Sequence, residues 1–220
     1  MWNSIVAMLI SAAIVIACSS PQPDAPAKPT PEAQGSKASR VTVSGPVIVF
    51  LGDSLTAGFG LAADEALPEQ VANVFKDDGI EARVINAGVS GDTTANGLAR
   101  FDWSVLAANP DMVVVALGAN DYLMGIDPEV AKQNLSAIIQ KAKDKQIDCI
   151  LVDLQPRSAG AIYPELATKF DLKSYPSLMA DVQNQPELLQ SDGLHPTAEG
   201  VKVMAERLAQ FLEPIVESQQ

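Results

Sequence analysis

The chain has 220 residues, of which 47% are hydrophobic and 19% charged, and its formal net charge at pH 7 is −12. This length and apolar content suit one globular domain with a tail attached. The deficit of Lys and Arg argues against a nucleic-acid partner, because neutralising phosphates requires a surplus of positive charge.

The amino terminus has the pattern of an export signal. Residues 1–17 carry no charge, and most of them form an apolar run that is shorter than the ~20 residues a membrane-spanning helix needs. The run ends in Val15-Ile-Ala-Cys18, which resembles the lipobox of bacterial lipoproteins, where the signal is cut before a cysteine that becomes lipid-modified. By the same resemblance, Ser19 points to the outer membrane, with the protein facing the periplasm. A plain signal peptide with an unmodified Cys18 is the alternative.

The segment after Cys18 is rich in Pro, Ala, Ser, Lys and Gln as far as about Gly45. This composition cannot bury enough apolar surface to order the chain, so it predicts a tether. We therefore divide the chain into a signal peptide (1–17), a tether (18–45) and a globular domain (46–220). Cys149 falls in an apolar run of that domain, which predicts a small core residue without a redox role.

Strand-like and helix-like segments alternate through the globular domain. Such alternation predicts an α/β fold with a mostly parallel sheet covered by helices on both faces. The predicted strands are the apolar run from Val47 to Gly52 and residues 82–86, 112–117 and 149–154. The predicted helices are one with Leu67, Val71 and Phe75 on its apolar face, one within 93–108, one over 128–145 with Val130 and Leu135 on its apolar side, and one from Pro196 to about Val216.

The first predicted strand ends abruptly in Gly52-Asp-Ser54. The carboxyl end of a strand is where open parallel sheets place their chemistry, and Gly52 allows a sharp turn there. The hydroxyl of Ser54 would then stand clear of the sheet edge, which makes Ser54 a candidate nucleophile. A turn followed by a helix cap is the alternative for the same residues.

A serine nucleophile needs a base, which is usually a histidine held by a third group. The chain has one histidine, His195, and Asp192 precedes it by three residues. If Pro196 begins the last helix, His195 stands at the helix entrance, and the Asp192 carboxylate can accept the Nδ1 proton. A structural histidine that caps the helix is the alternative.

Two further strand ends lead into loops with potential hydrogen-bond donors. Gly91 lies in the turn of residues 88–93 before a helix, where backbone N–H groups favour negative charge. Asn120 follows the third strand in Gly118-Ala-Asn-Asp121, and its amide can donate to the same anion. Both are also common turn residues, which is the simpler explanation for each alone.

Together, Gly52-Asp-Ser-Leu55, Gly91, Gly118-Ala-Asn-Asp121 and Asp192-Gly-Leu-His195 resemble the four sequence blocks of the GDSL, or SGNH, hydrolases. Two further segments, Val89-Ser-Gly-Asp-Thr-Thr94 and Asn96-Gly-Leu-Ala-Arg100, resemble the branch of bacterial thioesterase I, lysophospholipase and arylesterase. The resemblance implies a flavodoxin-like α/β/α fold of three layers with a mostly parallel, five-stranded sheet. It implies Ser54 as nucleophile, His195 as base, Asp192 as its orienter, and an oxyanion hole formed by the Ser54 N–H, Gly91 and Asn120.

The expected activity is hydrolysis of carboxylic esters, with thioesters and lysophospholipids as related substrates, through an acyl group on Ser54 and without a metal or cofactor. The substrate would be a small acyl ester or a lipid, the protein a monomer, and Cys18 its membrane attachment. Tyr122, Leu123 and Met124 are candidates for an apolar wall of the substrate pocket. The loop after the fourth strand is shorter than in that branch, which together with the tethered location favours one alternative, an acetylesterase or deacetylase of cell-wall or polysaccharide esters. A further alternative is a lipoprotein that binds a carboxylate or lipid through the same pocket without catalysis.

Overall fold

The computed structural model describes residues 45–154 and 162–219 of the chain. The predicted signal peptide, Cys18 and nearly all of the predicted tether lie outside the described residues. Residues 155–161, which make up most of the loop after the fourth strand, also lie outside the described residues. No helix of the described part is long and apolar enough to cross a membrane.

Five parallel strands form one sheet in the order β2-β1-β3-β4-β5. Their bounds are β1 Val47–Gly52, β2 Arg83–Gly88, β3 Met112–Ala116, β4 Asp148–Val152 and β5 Ser174–Tyr175. The register pairs Gly52 of β1 with Gly88 of β2 and with Ala116 of β3, so the three strands end at one level. The predicted parallel sheet is therefore confirmed, and all of its pairings are parallel.

Seven helices follow or connect the strands within the described residues. They are α1 Ser54–Ala57, α2 Leu67–Asp77, α3 Thr94–Ser104, α4 Ala119–Leu123, α5 Pro128–Asp144, α6 Ile162–Phe170 and α7 Ala198–Glu217. Short 3-10 turns occur at Ala63–Glu65, Leu106–Ala108 and Pro186–Leu188.

The helices cover both faces of the sheet, which gives the predicted three layers. Alternate residues of a strand point to opposite faces, so Ile48 and Phe50 pack into one core with α2 and α7. Val49 and Leu51 pack into the second core with α3, α5 and α6. A strand buried on both faces must be apolar at every position, which explains the unbroken apolar run of β1.

Two details of the predicted helices are wrong. Val130 was expected on the apolar side of α5, but its side chain is 44% exposed in the first turn, and Ala131 packs inward instead. Pro196 was expected to begin the last helix, but α7 begins at Ala198 and its cap is Thr197. Pro196 instead pairs with Leu189 in an antiparallel bridge, which keeps the backbone extended up to the cap.

Candidate active site

The loops after β1, β2 and β3 and the segment before α7 meet at the carboxyl edge of the sheet. The Val89 N–H donates to the Gly52 carbonyl at 3.0 Å, which joins the ends of β2 and β1. The Asn120 side chain, beyond β3, donates from Nδ2 to the Asp92 carbonyl at 2.9 Å. Neighbouring parallel strands bring these loops together, as expected for an open α/β sheet.

Ser54 is the first residue of α1 and stands directly beyond β1. Asp53 caps this short helix, because its Oδ1 accepts the Leu55 N–H at 3.0 Å. The turn requires glycine at position 52, since a Cβ there would lie 1.9 Å from the Thr56 hydroxyl oxygen. The backbone can thus change direction within two residues and leave the Ser54 side chain partly exposed.

His195 lies between Ser54 and Asp192. Its Nε2 is 2.9 Å from the Ser54 Oγ, and its Nδ1 is 2.7 Å from the Asp192 Oδ2. An ionised carboxylate can only accept, so Nδ1 donates to Asp192 and Nε2 is left to accept the serine proton. The structure therefore brings together the three residues that the sequence singled out as a catalytic group.

The Asp192 carboxylate is itself held in place. Its Oδ1 accepts the backbone N–H groups of Leu194 at 2.9 Å and His195 at 3.0 Å. The hydrogen bond with the His195 ring, and then these two backbone donors, lower the pKa of Asp192 to about 2. Asp192 is therefore ionised throughout the neutral range and keeps the imidazole ring in one orientation.

Phe59 and Gln190 also support His195, and no sequence motif pointed to either residue. The Phe59 ring lies 4.4 Å from the His195 ring, centroid to centroid. Gln190 donates its backbone N–H to the His195 carbonyl and its Nε2 to the Phe59 carbonyl, each at 2.7 Å. Gln190 thereby joins the segment after α1 to the segment before α7, a pairing that no sequence motif indicates.

The two predicted anion donors lie on connected loops. Gly91 has φ +86°, a conformation that favours glycine, in a turn that the Asp92 N–H closes on the Val89 carbonyl at 3.1 Å. Asn120 bonds to the carbonyl of Asp92, the residue after Gly91. Its Nδ2 also approaches the Asp53 Oδ2 at 3.5 Å, the upper limit for a hydrogen bond.

A small cavity opens at Ser54. Its volume is about 70 Å³. It is lined by Asp53, Ser54, Leu55, Ala119, Asn120, Leu123, Leu194 and His195. Of the three predicted wall residues, Leu123 lines this cavity, whereas Tyr122 lines a separate pocket of about 280 Å³ on the other side of α4. Met124 is 62% exposed and lines neither cavity.

Buried charged side chains surround the cavity, and the sequence motifs did not assign them a role. Asp121 accepts the Thr94 N–H at 2.8 Å and the Thr94 hydroxyl at 2.6 Å, which fixes α4 against the start of α3. Arg100, from α3, donates from Nε to the Asp92 carboxylate at 2.5 Å. In the described part of the chain, no three His, Cys, Asp or Glu side chains are grouped to hold a metal ion.

The burial of Asp53 can be tested through the pH dependence of the stability of the protein. Burial raises its pKa from 3.8 to about 6, so the folded state binds the proton more tightly than the unfolded state does. The contribution of Asp53 to stability is therefore most favourable below about pH 4 and is lost as the pH rises to about 6. Asp53→Asn can still cap α1 and should raise the free energy of unfolding at pH 8 by on the order of 2–3 kcal/mol, with little change at pH 4.

Urea unfolding of both proteins at the two pH values measures this difference. Asp64→Asn, at an exposed aspartate of the 3-10 turn after α1, is the matched control and should change stability equally at both. An Asp53→Asn effect that is the same at pH 4 and pH 8 would contradict the proposed environment.

Comparison with known proteins agrees with this geometry. The sequence profile of the GDSL-like lipase/acylhydrolase family matches residues 50–203. The chain is 36% identical to an arylesterase of Vibrio mimicus, over 75% of this chain and 87% of that protein. It is 34% identical to thioesterase 1/protease 1/lysophospholipase L1 of Escherichia coli (strain K12), over 77% of this chain and 84% of that protein.

A solved structure is also similar to this chain. The esterase AlinE4, described as a member of the SGNH-hydrolase family, superimposes with a TM-score of 0.64 at 39% identity, covering 79% of this chain and 96% of that one. The region that matches the family profile contains β1 from Phe50 onward, strands β2 to β5 and all of the site residues described above. The chain therefore belongs to the GDSL-like lipase/acylhydrolase family and is a carboxylic ester hydrolase.

Proposed function

We propose that the protein hydrolyses acyl esters through a covalent acyl intermediate on Ser54. The observation that carries this proposal is the chain of two short contacts from the Ser54 Oγ through His195 to Asp192, at 2.9 and 2.7 Å. A serine hydroxyl is a weak nucleophile until a base removes its proton. His195 is in hydrogen-bonding range to do so, and Asp192 stabilises the imidazolium that results.

In the first step, the Ser54 Oγ attacks the ester carbonyl carbon while its proton passes to the His195 Nε2. The carbonyl oxygen becomes an oxyanion, which the N–H groups of Ser54 and Gly91 and the amide of Asn120 would stabilise. Collapse of this intermediate expels the alcohol, which takes the proton from His195 and leaves an acyl-serine. Water then attacks the acyl carbon with His195 again as the base, and this releases the acid and free Ser54.

Asn120 has a geometry that suits an oxyanion donor. Of its two amide hydrogens, one is engaged by the Asp92 carbonyl at 2.9 Å, which fixes the plane of the amide. The Asp53 Oδ2 lies 3.5 Å from the same nitrogen, so that contact is weak. A developing oxyanion in the cavity can replace it without disturbing the bond that orients the amide.

Asn120→Ala should lower turnover by ~100- to 1,000-fold, the usual loss when one oxyanion donor is removed, while the protein stays folded. Steady-state hydrolysis of a short-chain aryl ester, with circular dichroism as a folding check, measures this. Asn184→Ala, at an exposed position, is the matched control and should retain full activity. Ser54→Ala should be inactive, and undiminished turnover in that variant would refute the mechanism.

The cavity supports an apolar acyl group as the part of the substrate bound beside Ser54. Leu55, Leu123 and Leu194 contribute apolar side chains to its lining, and Leu123 is 63% exposed where the cavity meets solvent. A volume of about 70 Å³ suits a short acyl group. A longer chain, as in a lysophospholipid or a long-chain thioester, would extend over Leu123. The small volume is also what favours the second candidate, an acetylesterase of polysaccharide or cell-wall esters.

Chain-length profiling separates these substrates. We expect kcat/KM to be highest for acetyl to hexanoyl aryl esters and thioesters, and Leu123→Asp to reduce octanoyl turnover more than acetyl turnover. The reason is that the longer chain loses its apolar contact at position 123. Val130→Asp, at an exposed apolar residue of α5 that does not line the cavity, should leave the profile unchanged. A profile that rises toward palmitoyl would contradict the short-acyl assignment, and activity on acetyl esters alone would favour the acetylesterase.

We also propose that the protein is exported and attached to the outer membrane through a lipid on Cys18. The support is the Val15-Ile-Ala-Cys18 sequence and the apolar segment before it. Cys18→Ser in bacteria that produce the full chain should abolish radiolabelling by palmitate and move the protein from the membrane fraction to the soluble one. Cys149→Ser is the matched control, because Cys149 is buried in β4. Equal labelling of wild type and Cys18→Ser would overturn the anchor.

A further inference from the structure

One buried cation lies among several buried carboxylates at the active edge of the sheet. Asp53, Asp92, Asp121 and Asp153 are all buried, and each follows one of the strands β1 to β4. Arg100, only 6% exposed, is the sole buried Lys or Arg side chain in the part of the chain that the structure describes. A reaction that creates a negative oxygen takes place at this edge, so the excess of buried negative charge requires compensation.

The Arg100 guanidinium joins two of the loops that form the site. Its Nε donates to the Asp92 Oδ2 at 2.5 Å, and its Nη2 donates to the Gly52 carbonyl at 3.0 Å. The same Gly52 carbonyl accepts the Val89 N–H at 3.0 Å, two residues before Gly91. Arg100 therefore fixes the end of β1, which carries the Ser54 turn, relative to the Gly91 turn after β2.

The third loop is attached through Asp92. While the Asp92 side chain binds Arg100, its backbone carbonyl accepts the Asn120 amide at 2.9 Å. The position of the Asn120 donor thus depends on where Asp92 is held. Each hydrogen bond in this series connects a buried or partly buried group, so movement of Arg100 would be transmitted to Asn120 and to the turn that contains Gly91.

The positive charge of Arg100 also favours a negative oxygen in the cavity, in addition to the positioning by its hydrogen bonds. The carboxylates of Asp53 and Asp92 are close enough for the Asp92 charge to contribute to the raised pKa of Asp53. An uncompensated Asp92 carboxylate would also repel a negative oxygen in the adjacent cavity. The guanidinium, in contact with the Asp92 Oδ2, offsets that charge where the repulsion would act.

We propose that Arg100 is a positioning residue for the oxyanion hole: it holds the Gly91–Asp92 turn and Asn120 in place and offsets the Asp92 charge. Arg100 does not line the cavity at Ser54, so it acts through Asp92 and Gly52 and not on the substrate. This inference rests on the proposed function, because it concerns the oxyanion of the acyl-transfer reaction at the same site.

The test compares Arg100→Met, Arg100→Lys and the double variant Arg100→Met/Asp92→Asn with wild type. Arg100→Met should lower kcat for a short aryl ester by about 10- to 100-fold with little change in KM, less than the ~100- to 1,000-fold loss expected for a direct donor. Arg100→Lys keeps the charge but not the fork of donors, so its kcat should lie between those of wild type and Arg100→Met. The double variant Arg100→Met/Asp92→Asn should be faster than Arg100→Met alone, because it removes the uncompensated carboxylate.

A purely structural role would lower stability and leave the kcat of the folded enzyme unchanged. Phenylboronic acid distinguishes the two roles, since the Ser54 Oγ adds to boron and gives a tetrahedral anion that requires the oxyanion hole. Its affinity should fall in Arg100→Met by the same factor as kcat/KM, and unchanged affinity would overturn the inference. Ser104→Ala is the matched control, because the Ser104 hydroxyl accepts from the Arg100 Nη1 at 3.3 Å and donates to the Arg100 carbonyl, so its hydrogen bonds do not reach the three loops. It should retain wild-type kcat.

Arg100→Lys keeps the inference testable if Arg100→Met does not fold. Wild-type kcat and wild-type affinity for phenylboronic acid in folded Arg100→Lys would overturn it. Labelling of Ser54 by an organophosphonate in wild type, and its loss in Ser54→Ala, tests the proposed function separately. If labelling succeeds and the Arg100 variants keep wild-type kcat, the inference fails while the proposed function stands. If wild type is not labelled, the proposed function itself fails.

Discussion

The site depends on the register of three parallel strands. Gly52 pairs with Gly88 on one side and with Ala116 on the other, so β1, β2 and β3 deliver their following loops at the same height. Adjacent strands are only ~4.8 Å apart, which puts those loops within direct hydrogen-bonding range. A slip of one residue in either pairing would move the Gly91 turn or Asn120 away from Ser54 and turn the core side chains of that strand to the other face.

Several buried carboxylates lie at the same edge of the sheet, and buried carboxylates usually lower the stability of a protein. Burying a carboxylate is unfavourable unless donors or a cation meet it. Asp53 receives the Leu55 N–H, Asp121 receives two donors from Thr94, and Asp92 receives Arg100. Each of these bonds also joins elements at this edge, so the groups that compensate the buried charges help to hold the loops around the cavity in place. The loss of stability at this edge is tolerated because two apolar cores stabilise the rest of the sheet.

The sequence was sufficient for the features that have a local pattern. Continuous apolar runs identified β1 and β3, because strands buried on both faces leave no polar position. A single histidine near an aspartate made the pairing with Ser54 easy to propose. Val130 was misplaced because helical periodicity alone does not show which side of the first turn of α5 meets the sheet. The start of α7 was misplaced because Pro196 is held extended by its bridge to Leu189, a tertiary contact.

Arg100 shows most clearly why other parts of the site were not predictable. It occupies a position in α3 where a surface arginine would give the same sequence pattern, and one of its acceptors is a backbone carbonyl 48 residues earlier in the chain. Every residue has a backbone carbonyl, so a hydrogen bond to one cannot be recognised from the residue type. The same holds for Gln190, which orders His195 and Phe59 through backbone groups and whose own contact with Phe59 spans 131 residues. In this protein the proposed catalytic side chains can be recognised from short motifs, whereas the groups that fix their positions depend on contacts that only the fold creates.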